Sequence, residues 1–494
     1  MSEYGEGIFL GDSRPSLEKA MKMYAGAKEW NARNGVEECC ATNENFFLGR
    51  QWEGVNANGL PTPVFNILKR DVLFVVSSIT SENLSVRAEP MGRLTAAEKH
   101  AADLVQQELE RLCELNDVPR LARRMARDAA VRGDGCLYTY WDPKSGRPVT
   151  ECIENTRVFF GNPCDREVEH QSWIMVERRQ ETRLVRKRAR EGGQRHWQDI
   201  RADAEGDTPR PELRADGMTT VILLMYREEG RIWGYEFCPS GVIRDPFDMG
   251  LVRYPICWLN WDYVTDSYHG QAMITGLIPN QIFINKAWAM SMLSLMTTAY
   301  PKVIYDKTRI PQWDNRVGAA IAVAGGDMDS VAKILDPAQV SPQIAAFIEM
   351  AIEETNRNLG ANNASLGDVS PDNTSAILAL QRAAATPSEI TRQNLRACLE
   401  DLMRIYVDFM AGFLMELGDG EFAPGLRSLP LRLRLDVGAS TYFSELAAVS
   451  CLEGLLKNGL ITAAQYLERL PQGYVPDRDG LLREMKGGEE NGGE

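Results

Sequence analysis

The sequence predicts an α+β fold, and three observations carry that reading. The stretch Gly270 to Pro301 is a long apolar run with helical periodicity. Segments around Leu84 to Ala88, Cys136 to Asp142 and Thr219 to Cys238 alternate as half-buried strands do. The first third of the chain mixes both patterns, a β-rich stretch follows, and long helices then take over.

In chain order, Leu17 to Asn34 has the composition of a helix, and Phe46, Phe47 and Trp52 gather around Gly49 as a packed loop. After Pro63, the spacing of Ile67, Val72, Val75, Val76 and Ile79 predicts a helix, followed by a short strand that Pro90 stops. Thr95 caps a further helix running to about Asn116, with Glu98 in its first turn. Another helix spans Val118 to Val131 and ends at Gly133 and Gly135, and strands follow at Val149 to Ile153 and Val158 to Phe160. Basic residues crowd Arg178 to Arg201, where Thr182 can cap a short helix; a nucleic-acid contact and a solvated charged face are both open there. Glu228, Glu229 and Gly230 mark a hairpin turn between two strands.

An aromatic extended segment, Tyr254 to Gly270, leads into the long helix. In that helix Ile274, Ile278, Ile282, Ala289, Met292 and Met296 fall on one face, with Leu277, Ile284, Trp288 and Leu295 on a second. Two apolar faces require two neighbours, so the helix is either central to a large core or packed between copies of itself. Gln281, Asn285 and Lys286 argue against a membrane span, and Pro279 is expected to bend the first turns. Short strands and turns fill 300–340, and a second long helix starts near Ser341 with Pro342 at its first position and Gly360 at its end. A polar loop, a third helical run bent at Pro387, the strand LPLRLRLDV, two closing helices and an acidic Gly-rich tail complete the chain.

At 494 residues and 44% hydrophobic composition there is material for two to four domains with real cores. The formal charge of -14 argues against a protein that grips nucleic acid, though an acidic wall would let DNA slide past. Ten cysteines without a CxxC, behind an N-terminus with no signal-peptide pattern, read as reduced thiols in a cytoplasmic protein. Four scattered histidines give no zinc site. No phosphate loop, dinucleotide fingerprint, HExxH or nucleophile elbow appears. Carboxylate pairs such as Asp327 with Asp329 and Glu353 with Glu354 read as a turn and a solvated helix face, so neither catalytic residues, nor a metal, nor a cofactor is expected.

Four stretches, taken in order, resemble bacteriophage portal proteins, most closely those of the P22 type. They are ENFFLGRQWEG with PVFNILKRDVLFVVSSITSENLSVRAEP; YPICWLNWDYVTDSYHGQAMITGLIPNQIFINKAWAMSML; AYPKVIYDKTRI; and NNASLGDVSPDNTSAILALQRAAATPSEITRQNLRACLEDL. The resemblance implies an α/β wing over 1–269, a first stem helix over 270–299, a clip over 300–340 and a second stem helix over 341–360. A tunnel loop would span 361–374, a long helix and wing strand 375–440, and a helical crown with a disordered tail 441–494. It further implies a homo-oligomeric ring, as a rule dodecameric, at one capsid vertex of the virion, assembled in the host cytoplasm. Its partners would be double-stranded DNA in the channel, the large terminase subunit, the major capsid or scaffolding protein and head-completion or tail adaptor proteins, with no membrane.

On this resemblance Asn362, Asn363, Ser365, Asp368, Ser370, Asp372 and Asn373 would border translocating DNA, the acids repelling what the polar groups only weakly hold. Lys286 and Arg357, with Lys302, Lys307 and Arg309, would supply rings of positive charge or, equally, salt bridges between subunits. Lys302, Tyr305, Lys307, Arg309, Trp313 and Arg316 would face the terminase from the clip. No long helical barrel follows Pro476, as it does in the largest portals. A head-tail adaptor or minor capsid protein that never lines DNA is the alternative, and an enzyme ranks behind both.

Overall fold

The computed structural model of the chain describes residues 15–57, 59–80, 83–91, 95–203, 217–299, 303–314, 321–325, 327, 330–334, 342–358, 388–413, 426–428, 431–438 and 442–470. Helix and antiparallel sheet are mixed, and the fold is α+β.

Three helices open it: α1 (Leu17–Arg33), α2 (Val36–Leu48) and α3 (Ile67–Ile79). Gly49 ends α2 at a left-handed φ of 86°, a conformation that costs glycine little. Phe46 and Phe47 belong to α2 rather than to a loop, Phe47 buried, and only the loop beyond Gly49 is pinned separately, where Trp52 Nε1 donates to Pro63 O at 2.9 Å. Strand β1 (Asn83–Pro90) pairs antiparallel along its whole length with β12 (Leu431–Gly438). Side chains cover both free edges of this ribbon: Gln106 bonds Val86 O and Ala88 N at 2.6 and 2.7 Å, and Glu400 accepts from Leu435 N at 3.5 Å. Helix α4 (Ala96–Leu115) starts in a full capping box between Thr95 and Glu98, and α5 (Val118–Arg132) runs into Gly133.

Two sheets follow. One has the order β3 (Arg147–Ile153), β2 (Asp134–Asp142), β9 (Ile256–Asn260). The other runs β4 (Val158–Phe160), β5 (Trp173–Glu181), β6 (Met218–Glu228), β7 (Arg231–Cys238), β8 (Gly241–Leu251). The β6–β7 hairpin turns where the sequence places it, through Glu229 and Gly230, both at positive φ. Strands β5 and β8 are additions to the sequence reading. The second half of β5 is charged, and β8 contains Asp245, Pro246, Asp248 and Gly250, which look like a turn. Pro246 is tolerated because β8 is an edge strand and its pairing with β7 is already broken by register shifts.

Alternate residues of the five-stranded sheet serve two cores. Val158, Phe160, Ile174 and Val176 face the main core, built with α3, α4, α5, β2, β9 and α9 (Glu389–Gly412). Phe159, Met175, Leu224 and Phe237 face Ala20 and Tyr24 of α1. Helix α6 (Thr182–Glu191) lies between β5 and β6. Thr182 is its first residue rather than its cap, since its hydroxyl donates to Gly217 O at 2.6 Å. The rest comprises α7 (Ile278–Ala299), a pair of three-residue strands β10 (Val303–Tyr305) and β11 (Ala332–Ile334), α8 (Pro342–Asn358), and the closing helices α10 (Tyr442–Lys457) and α11 (Ala463–Arg469). All ten cysteines are free thiols.

Candidate assembly face

The long helix α7 grows out of a buried polar joint. Asp134, the first residue of β2, is 1% exposed. Its Oδ1 accepts from Asn260 Nδ2 at 2.8 Å and from Gly270 N at 2.7 Å. Its Oδ2 accepts from Asn155 Nδ2 at 3.1 Å and lies 2.6 Å from His269 Nδ1. A buried carboxylate is tolerable only when its lone pairs are filled in this way. The backbones of Gly133 and Gly270 touch here: a Cβ on Gly133 would stand 2.4 Å from Gly270 O, and one on Gly270 would stand 2.7 Å from Asp262 O. Tyr268, whose hydroxyl donates to Val158 O at 3.1 Å, stacks on Phe160 and fixes the approach. The Tyr and Gly that precede the long helix are therefore joint residues.

From Gly270 the chain passes through a 3-10 turn, Thr275–Leu277, and α7 begins only at Ile278. The expected helix start at Gly270 is thus eight residues early. Pro279 is the second residue of α7, in the first turn, where a missing N–H is tolerated.

The polar residues inside α7 find protein partners. Gln281, 1% exposed, donates to Phe65 O at 2.7 Å and to Asn285 Oδ1 at 3.0 Å, and accepts from Ile67 N at 3.1 Å. Asn285 donates in turn to Gln51 Oε1 at 2.6 Å, and Phe65 stacks on Trp288 with ring centroids 4.6 Å apart. This network docks the first half of α7 onto the loop between α2 and α3. Sequence reading missed Gln51, Asp134 and His269; the available signal was Gln281 and Asn285 at i and i+4 on an apolar helix, a pair that demands buried partners.

Helix α8 packs along α7. Asn280 Nδ2 donates to Thr355 Oγ1 at 3.1 Å, and Arg70 of α3 donates to Asn356 Oδ1 at 2.6 Å. Beyond these ties several large hydrophobic side chains of the pair stand exposed, beside the exposed acids Glu349, Glu353 and Glu354 of α8. Phe283, Met290, Leu295 and Met296 of α7, with Phe347 and Met350 of α8, are each 50–67% exposed. Lys286 is the sole charged residue of α7 and is also exposed. The hydrophobic residues among these are large side chains left open to solvent along α7 and α8.

Of the other residues singled out by sequence, Tyr305 stacks on Trp313 at 5.3 Å, Arg309 pairs with Asp306 at 3.6 Å and reaches Ser330 Oγ at 3.1 Å, and Lys307 is exposed. They share one small element around β10 and β11. Lys302, Arg316 and the loop residues Asn362, Asn363, Ser365, Asp368, Ser370, Asp372 and Asn373 lie outside the described residues, as does the side chain of Arg357. The bend expected at Pro387 and the tail after Leu470 also lie outside them. Among the described residues no group of three or more His, Cys, Asp or Glu is placed to hold a metal, and no helix is long and apolar enough to cross a membrane.

The family model described as Phage P22-like portal protein matches residues 165–416, from the approach to β5 through α7 and α8 to just past α9. Three of the four stretches quoted above fall inside that span; the stretch around Phe46 to Pro90 falls before it. No curated protein matches the chain.

Proposed function

Because this chain belongs to the P22-like phage portal proteins, we propose that it closes into a ring at one capsid vertex, through which double-stranded DNA is packaged and ejected and on which the terminase and head-tail proteins dock. The observation that supports this best is the set of large hydrophobic side chains that α7 and α8 leave exposed. Each pair would cover its neighbour's by a heterologous contact, repeated until the ring closes at about twelve copies. In this reading α7 and α8 are the stem helices, the element of β10 and β11 is the clip, Asn362 to Thr374 is the tunnel loop, and α10 and α11 belong to the crown. Tyr305, Lys307, Arg309 and Trp313, gathered at the β10–β11 element, would meet the terminase there. Lys286 would point its charge either into the channel or across the subunit contact.

The test has two parts. Electron microscopy and solution mass of the purified chain should give a closed ring with a hole wide enough for a duplex. Deleting 362–374 should then leave the ring intact and impair packaging or retention of DNA. A ring that packages and retains DNA normally without those residues refutes the tunnel-loop assignment and favours an adaptor that does not line DNA.

A further inference from the structure

We propose that the outer face of α6 and the turn after it bind the phosphate backbone of duplex DNA, through residues other than those assigned to the channel. Residues 178–201 hold nine Lys and Arg against three Asp and Glu, in a chain whose net charge is -14. The structure divides eight of these cations into two sets. Arg178 pairs with Glu151, Arg179 with Asp203 at 3.1 Å and Arg188 with Glu236 at 3.3 Å, while Arg186 Nε donates to Ile200 O at 2.8 Å. These hold the lobe together.

The second set faces solvent. Arg183, Lys187 and Arg190 are exposed, and their i, i+4, i+7 spacing places them in one stripe along α6, with exposed Arg195 just beyond. Arg183 and Arg195 have no acidic partner among the described residues. Lys187 lies 3.8 Å from Glu191 with both side chains at least 66% exposed, a contact that neutralises little. Arg190 sits over the Trp197 ring at 5.7 Å. Under the stripe, Val185, Ala189, Ile200 and Ile243 form a closed core, so the charges are carried on a rigid support.

The chemistry of the face selects its ligand. A protein partner would need an apolar centre, and the stripe offers only Leu184 as a large exposed hydrophobic. A row of arginines without such a centre suits a polyanion of repeating charge, which guanidinium groups engage through paired hydrogen bonds. The proposal rests on the portal reading only in taking the polyanion to be duplex DNA.

Binding of the full chain to a fluorescent duplex of about 30 base pairs, followed by anisotropy over a series of salt concentrations, tests this. The variant Arg183→Ala/Lys187→Ala/Arg190→Ala should weaken binding and lower the slope of log K against log salt by about 2–3. The pair Arg183→Ala/Arg195→Ala, which removes no packing or ionic partner, should lower it by about 2. A charge-matched control on α5, Arg120→Ala/Arg123→Ala/Arg124→Ala, should leave the slope unchanged. The proposal is overturned if the wild type does not bind the duplex at low salt, if both stripe variants keep the wild-type slope, or if the control lowers it equally. Loss of binding to polyglutamate with DNA binding intact would overturn it in favour of an acidic protein partner. Sedimentation of each variant reports assembly separately, so a monomer that keeps the predicted slopes would count against the ring alone.

Discussion

Replacing Gln281 by Leu should loosen α7 from the body of the subunit without unfolding it. The side chains are similar in size, so the change is chiefly in hydrogen bonding. Gln281 serves three groups: Ile67 N, Phe65 O and Asn285 Oδ1. Phe65 is 45% exposed, so its carbonyl can recover water. Ile67 and Asn285 are 9% and 3% exposed and cannot easily do so. Two buried groups left without partners cost about 1–3 kcal/mol each, and the added apolar burial of Leu returns part of that. A net loss of about 2–4 kcal/mol in local stability follows, equivalent to about 30- to 700-fold faster opening. Hydrogen–deuterium exchange of peptides covering 63–70 and 278–290 would read it, with the five-stranded sheet as internal reference. Acceleration below about threefold in those peptides would show that the network does not hold α7, and the reasoning would fail.

Two further predictions follow from neighbouring features. Leu295→Asp places a charge in the exposed apolar face at a residue 67% exposed, so the subunit should fold normally but self-associate more weakly by about 2.5 kcal/mol per contact, taking about 100 Å² of apolar surface at 25 cal/mol/Å²; an unchanged assembly in sedimentation would rule out that face as the interface. Asp71 of α3 is fully buried with Oδ2 unpartnered, and burial pushes its carboxyl above the ordinary value, with Arg70 at 3.3 Å only partly opposing. A raised folded pKa means that the native state holds the proton more tightly than the unfolded chain. Its contribution to stability therefore grows as pH falls from the raised value toward the ordinary one near 3.8, and is a penalty above it. Asp71→Asn should raise stability near neutral pH and remove that part of the pH dependence; a denaturation series showing the same pH slope in both proteins would contradict this.

Local chemistry was legible without coordinates. Thr95 caps α4 with Glu98 in its first turn, Pro342 opens α8, and Glu229 with Gly230 makes the hairpin turn. In each case the structure depends on residues a few positions apart, and their side-chain chemistry is sufficient. The two apolar faces of α7 were legible for the same reason, since periodicity is a local property.

What lay beyond the sequence are the places where distant segments meet. The pairing of β1 with β12 joins residues more than 340 positions apart, and nothing in either strand names its partner. The start of α7 is set by Asp134 receiving the amide of Gly270, across 136 positions, so the helical pattern alone placed it too early. Pro246 sits inside β8, and only the sheet order shows that strand to be an edge, where a proline is tolerated. The sequence by itself determined the class of the fold, most of its helices, the cap at Thr95, and the apolar character of the long helix. Only the tertiary structure decided which part of that helix's surface is buried within the chain and which part stays exposed, because burial is fixed by what packs opposite a residue and not by the residue's own period.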